Sequence, residues 1–173
     1  KQRRRNLVGR TGCGLCGAES LQQAIVPPTK VSSTINLGHR ALQRAIAALG
    51  ERQRLQIQTG AVHGAAWCDS DGNILLVRED VGRHNALDKL LGARCKQLNA
   101  DANSGFVLVT SRASYEMVAK TTSANIPLLA SISAPTALAI KLAEQSGLTL
   151  IGFARAGRHA IYTHPHRISS ETL

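Results

Sequence analysis

The chain has 173 residues, 43% hydrophobic but only 3% aromatic, with 21 Lys and Arg against 11 Asp and Glu for a formal net charge of +10. That length allows one domain with a sizeable aliphatic core, and no apolar run approaches the roughly eighteen residues of a membrane-spanning helix. The basic excess favours phosphorylated or polyanionic partners, while the absence of interleaved aromatics and of any zinc-finger or basic-zipper pattern argues against nucleic acid.

Lys1 to Arg10 is a basic entry without the apolar stretch of a signal peptide. Thr11-Gly12-Cys13-Gly14-Leu15-Cys16-Gly17 follows, just before a short helix expected over Glu19 to Ile25 and ended by Pro27-Pro28. Glycines let this turn expose its sulfurs. The free N–H groups at the start of the helix would favour a thiolate, which is the reactive form of cysteine. Sulfur chemistry is the first expectation here. A structural zinc site would usually need four ligands, and Cys68 and Cys95 are single, so no structural metal is expected, although His39, His63 and His84 could complete a site. Gly12, Gly14 and Gly17 also spell a dinucleotide fingerprint, but that motif follows a strand and needs an acid about 20 residues later. Val26 to His39 contains none. A structural disulfide does not suit the cytoplasm, which is the compartment expected from cysteine usage.

Thr29 to Ser33 reads as a polar loop. Asn36 opens a long amphipathic helix with Leu37, Ala41, Leu42, Ala45, Ile46 and Leu49 at helical spacing, with Arg52 to Ile57 able to continue it. Ala61 to Cys68 and Ile74 to Glu79 form a hairpin around the turn Asp69 to Asn73. That Asp-rich turn lacks the downstream Glu of a calcium loop. Helices are expected over Asn85 to Leu98, Ser114 to Ala124 and Thr136 to Ser146. They alternate with strands Phe106 to Thr110, Ile126 to Ile132 and Leu148 to Phe153, and a short strand His159 to Thr163 comes last. The alternation predicts one α/β domain over residues 1–173 with a mixed, largely parallel sheet.

Ligands of such sheets bind beyond the carboxyl ends of the strands. Three loops fall there: Glu79 to Asn85 with Asp80, Arg83 and His84; Thr110 to Ser114 with Ser111 and Arg112; and Phe153-Ala154-Arg155-Ala156-Gly157-Arg158. Each carries arginine, and arginine beside free backbone N–H groups is a phosphate-binding combination. Gly157, between Arg155 and Arg158, is where the backbone is expected to approach an anion. His84 is a candidate for proton transfer. His63 reads as a strand residue, and His164 and His166 as a surface tail.

Five stretches together resemble the FdhD family of formate dehydrogenase accessory sulfurtransferases. They are the CxxC turn, Glu79 to Gly92, Ser111 to Val118, Leu150 to Arg158, and Tyr162 to Pro165. The resemblance implies a three-layer α/β/α domain similar to cytidine deaminases. It also implies sulfur transfer from a cysteine desulfurase to the bis-molybdopterin guanine dinucleotide form of the molybdenum cofactor in formate dehydrogenase. Cys13 would carry the persulfide with Cys16 as its partner, Phe153 to Arg158 would bind the cofactor, and a homodimer is expected. An additional N-terminal region, usual in the family, is missing from the sequence. Two rival functions are an insertion chaperone that holds the guanine dinucleotide without moving sulfur, and a zinc-dependent deaminase. The deaminase needs H-x-E followed by a later CxxC. Position 65, two after His63, is Ala, and the CxxC comes first.

Overall fold

The computed structural model describes residues 29–97 and 104–169. The basic entry, the CxxC turn with Cys13 and Cys16, and the helix expected over Glu19 to Ile25 lie outside the described residues. The long helix begins at His39 rather than Asn36, because Leu37–Gly38 (β1) pairs in parallel with Ile168–Ser169 (β8). Helix α1, His39–Arg52, turns Leu42, Ala45 and Leu49 inward. It does not run on to Ile57. The chain breaks at Gln53, and a second short helix, α2, spans Arg54–Thr59. The Glu79 carboxylate accepts the Leu55 and Gln56 N–H groups, both at 2.9 Å, so it serves donors that the start of α2 leaves unpaired.

The hairpin forms as its turn residues predict, from β2 (His63–Asp69) and β3 (Ile74–Asp80). The Asp69 carboxylate accepts the N–H groups of Asp71 and Asn73, which makes the acidic turn self-contained. Then come α3 (Arg83–Gln97), β4 (Gly105–Val109), α4 (Tyr115–Ser123), β5 (Leu128–Ser131), α5 (Ala137–Ser146), β6 (Thr149–Arg155) and β7 (Arg158–Ile161).

Strands β3-β2-β4-β5-β6-β7 make one sheet in that order. The sheet is mixed, as expected, but parallel pairing is confined to β4-β5 and β5-β6. The other three pairings are antiparallel, so the sheet is less parallel than the strand–helix alternation suggested. A hairpin at each end supplies the difference: β2–β3 leads into the alternating part, and β7 folds back on β6.

Side chains alternate across this sheet. Ala65, Trp67, Val107, Val109, Leu129 and Leu150 face α3, α4 and α5, with Leu87, Leu90, Met117 and Leu142 packed on them. Ala66, Cys68, Phe106, Leu108, Leu128 and Ile151 face α1 through Leu42 and Leu49. These two cores make the three-layer α/β/α arrangement. Each fully buried Leu or Val contributes about 1.5–3 kcal/mol, so this double burial dominates the stability.

Candidate functional site

Because β3 and β4 both run antiparallel to β2, they point the same way, and β5 and β6 follow β4. All four carboxyl ends therefore lie on one edge of the sheet, as the three-loop reading requires. From β3 to β6 there are four strand steps, about 19 Å at the usual spacing. One phosphate cannot touch both ends.

At the first end, Asp80 organises its own loop. Its carboxylate accepts Gly82 N–H at 2.9 Å and Asn85 Nδ2 at 3.2 Å and pairs with Lys89. The Lys89 and backbone hydrogen bonds hold its pKa down at about 2. These bonds occupy Asp80 with Gly82, Asn85 and Lys89 and bring the chain to the start of α3, which carries Arg83 and His84. Arg83 is half-buried, and its Nε has no hydrogen-bond partner among the described residues. His84 Nε2 lies 3.2 Å from Ser114 Oγ and 3.4 Å from Glu116 Oε2, so the first and second loops meet through this imidazole. Burial pushes the His84 pKa down, against the pull of the Glu116 carboxylate and with help from Arg83 and Lys120. A neutral ring poised beside a carboxylate is equipped to accept a proton. Glu116 was not singled out by sequence. Its i,i+4 spacing to Lys120, an ion pair of 3.1 Å, was the available signal.

In the second loop, Ser111 is 4% exposed and its hydroxyl donates to Arg112 O, so it shapes the turn rather than facing a ligand. Arg112 is exposed. The Ser131 hydroxyl reaches the carbonyls of Ser111 at 2.7 Å and Ser133 at 2.9 Å, and Ser133 O in turn accepts Phe153 N–H at 3.2 Å. A strip of hydroxyls and carbonyls thus ties the second loop to the third.

The third loop sits on an irregular strand end. The β6–β7 register shifts between Gly152 and Arg155, and Phe153 adopts φ 50, a left-handed conformation that costs a non-glycine residue about 1–2 kcal/mol. The result turns Phe153 outward, 41% exposed, while Ala154 stays fully buried. Phe153, Arg155, Arg158, His159 and Ala160 line a groove of about 420 Å³. Arg155, Ala156, Gly157 and Arg158 are exposed. Gly157 has φ 72, as its turn requires, yet its N–H is already donated to Gln43 Oε1 at 2.8 Å. That N–H is therefore taken where the backbone was expected to approach an anion, whereas the two guanidinium groups beside it are exposed. His159 meets His39 and Gln43 of α1, a cluster that local sequence pattern does not signal because it joins residues about 120 positions apart.

Of the cysteines described, Cys68 is fully buried, and burial, then Asp69, raises its thiol to about 12; Cys95 is exposed on α3. A thiol at about 12 carries almost no thiolate near neutrality, so Cys68 is not a nucleophile.

Fold and edge together define an α/β protein with an arginine-lined groove built on the last hairpin. The FdhD/NarQ family matches residues 1–169. A sulfur carrier protein FdhD from Xanthomonas euvesicatoria pv. vesicatoria is 59% identical over 167 residues, 96% of this chain and 59% of that protein. A sulfur carrier protein FdhD from Cupriavidus necator is 57% identical over 171 residues, 99% of this chain and 59% of that protein. Among solved structures, a chain described as a formate dehydrogenase accessory protein from Desulfotalea psychrophila superposes with a TM-score of 0.73 at 32% identity, covering 82% of this chain and 59% of that one. The chain belongs to the FdhD/NarQ family. It spans about three-fifths of the length of the relatives it matches.

Proposed function

We propose that this chain carries sulfur from a cysteine desulfurase to the bis-molybdopterin guanine dinucleotide molybdenum cofactor destined for formate dehydrogenase. The observation that carries the reading is the 57–59% identity, over 96% or more of the chain, to proteins named as sulfur carriers. In the first step the Cys13 thiolate attacks the outer sulfur of the desulfurase persulfide. The sulfur–sulfur bond of the donor breaks, the donor cysteine leaves as thiolate, and Cys13 becomes the persulfide. Cys16 is its partner thiol. The reaction belongs in a reducing compartment, with the cytoplasm as its place.

The cofactor is cargo, and the groove lined by Arg155 and Arg158 supports a reading in which its guanine nucleotide phosphates bind there. Phe153 offers a partly exposed ring beside them, and Arg83, His84 and Arg112 supply further donors along the same edge. Asp80 and Ser111 hold the loops that carry these donors. The acceptor protein is formate dehydrogenase, and the working unit is a homodimer.

The deciding experiment is the mass of the protein after incubation with desulfurase and cysteine. We expect a gain of one sulfur that dithiothreitol removes and that Cys13→Ala abolishes, with Cys16→Ala keeping part of the activity. No gain, together with tight binding of guanine nucleotide, would favour the insertion chaperone. Full loading of Cys13→Ala would refute the assignment of that thiol.

A further inference from the structure

Arg155 and Arg158 face each other across the β6–β7 hairpin, with Ala156 and Gly157 forming the turn between them. A backbone N–H only donates, so the Gln43 atom 2.8 Å from Gly157 N is fixed as the carbonyl oxygen, and the amide nitrogen of Gln43 points the other way. That nitrogen stands 3.5 Å from His159 Nδ1. It too only donates, so this long contact favours a lone pair on His159 Nδ1 and, for neutral His159, a proton on Nε2. Nε2 lies 2.9 Å from His39 Nδ1, which therefore accepts. One backbone donor thus orders an amide and two imidazoles. His39 and Gln43 stand one helical turn apart on α1 and reach the hairpin together.

We propose that Gln43 is a positioning residue for the anion groove: with His159 and His39 it fixes the Arg155–Arg158 turn so that both guanidinium groups line one wall. The inference rests on the cofactor reading of this loop. It adds a support on α1, more than a hundred residues away in sequence, that the arginine–glycine pattern does not contain. The ordering also says which proton matters. A proton on His159 Nδ1 would confront the Gln43 amide hydrogens, and a proton on His39 Nδ1 would confront the His159 N–H. Arg155 and Arg158, both cationic, line the groove beside His159. Burial, then His39, lowers the pKa of His159.

The test uses GDP as the probe and Gln43→Met as the variant, since Met keeps the side-chain length and suits a helix but is only a weak acceptor and cannot donate. In wild-type protein, nitrogen NMR of the imidazoles is expected to find His159 protonated on Nε2, with the Gly157 amide slow to exchange. In Gln43→Met that amide should exchange freely and GDP affinity should fall by about fivefold or more. Gln43→Glu keeps an acceptor for Gly157 N–H and turns a second oxygen toward His159, so the imidazole proton should move to Nδ1. GDP affinity of Gln43→Met within about twofold of wild type overturns the proposal. So does a His159 proton on Nδ1 in wild type, or one that stays on Nε2 in Gln43→Glu. Arg158→Ala separates the two levels. If it loses GDP while Gln43→Met does not, only the positioning role fails. If wild type does not bind GDP, or Arg158→Ala binds it unchanged, the cofactor reading of the loop fails as well.

Discussion

Arg158 stands exposed at the start of β7, opposite Arg155, and both line a groove with no acidic partner among the described residues. Each charge-assisted hydrogen bond to phosphate contributes roughly 1.5–3 kcal/mol, so Arg158→Ala should weaken GDP binding about ten- to a hundredfold in calorimetric titration. Persulfide loading of the same variant should be unchanged, because the proposed sulfur step uses Cys13 and not this loop. Loss of both would mean that the loop is not a separate cofactor element. The histidines give a second residue-scale expectation. Burial lowers the pKa of His84 and of His159 below the ordinary 6.5, with Arg83 and Lys120 adding to the shift of His84 and His39 to that of His159. Between 6.5 and those lowered values the unfolded chain binds more protons than the folded one. Their contribution is therefore fully present above about pH 6.5 and is lost as pH falls through the folded values. Urea midpoints should drop between about pH 7.5 and pH 5.5, and His159→Gln should make that drop shallower. An equally steep drop in the variant would remove His159 from the account.

At the scale of elements, the β6–β7 hairpin decides how the groove is shaped. Gly152 precedes the register shift, and a Cβ there would come within 2.6 Å of the Pro135 ring and 2.9 Å of the Tyr162 ring. Pro135 also bridges to Ala113 in the second loop, so displacement would reach across the edge. Gly152→Ala should cost about 1–3 kcal/mol in chemical denaturation, as overpacking does, and should weaken GDP binding although it touches no ligand. Wild-type stability in Gly152→Ala would show that the loops move independently. The left-handed Phe153 next to this glycine is a place where conformational strain accompanies an exposed ring at the proposed binding edge.

For the whole molecule, a net charge of +10 makes some attraction to any polyanion unavoidable. A built groove differs from a diffuse field in its response to salt and to ligand shape. GDP should bind more tightly than pyrophosphate, because the guanosine can meet Phe153 while the phosphates meet the arginines. Raising the salt from about 50 to about 300 mM should weaken pyrophosphate more than GDP, since screening acts most on exposed charge. Equal and equally salt-sensitive binding of GMP, GDP and pyrophosphate would reduce the groove to non-specific electrostatics.

The aliphatic strands and amphipathic helices were legible because their periodicity is local: each strand and helix of the two cores follows from which side chains seek burial. So were the three arginine loops on one edge, since strand ends and their direction follow from the order of elements. Pairing was not. Leu37–Gly38 leaves the expected helix to join Ile168–Ser169, and β7 turns antiparallel, because the free backbone groups there find partners over 130 residues away or across a tight turn. The same holds within the candidate site. Arg155 and Arg158 announce an anion loop by composition, but Ser111 turns out to be internal and Gly157 N–H already taken by Gln43. Residue type tells which groups can donate. Only the folded chain decides which donors have been used.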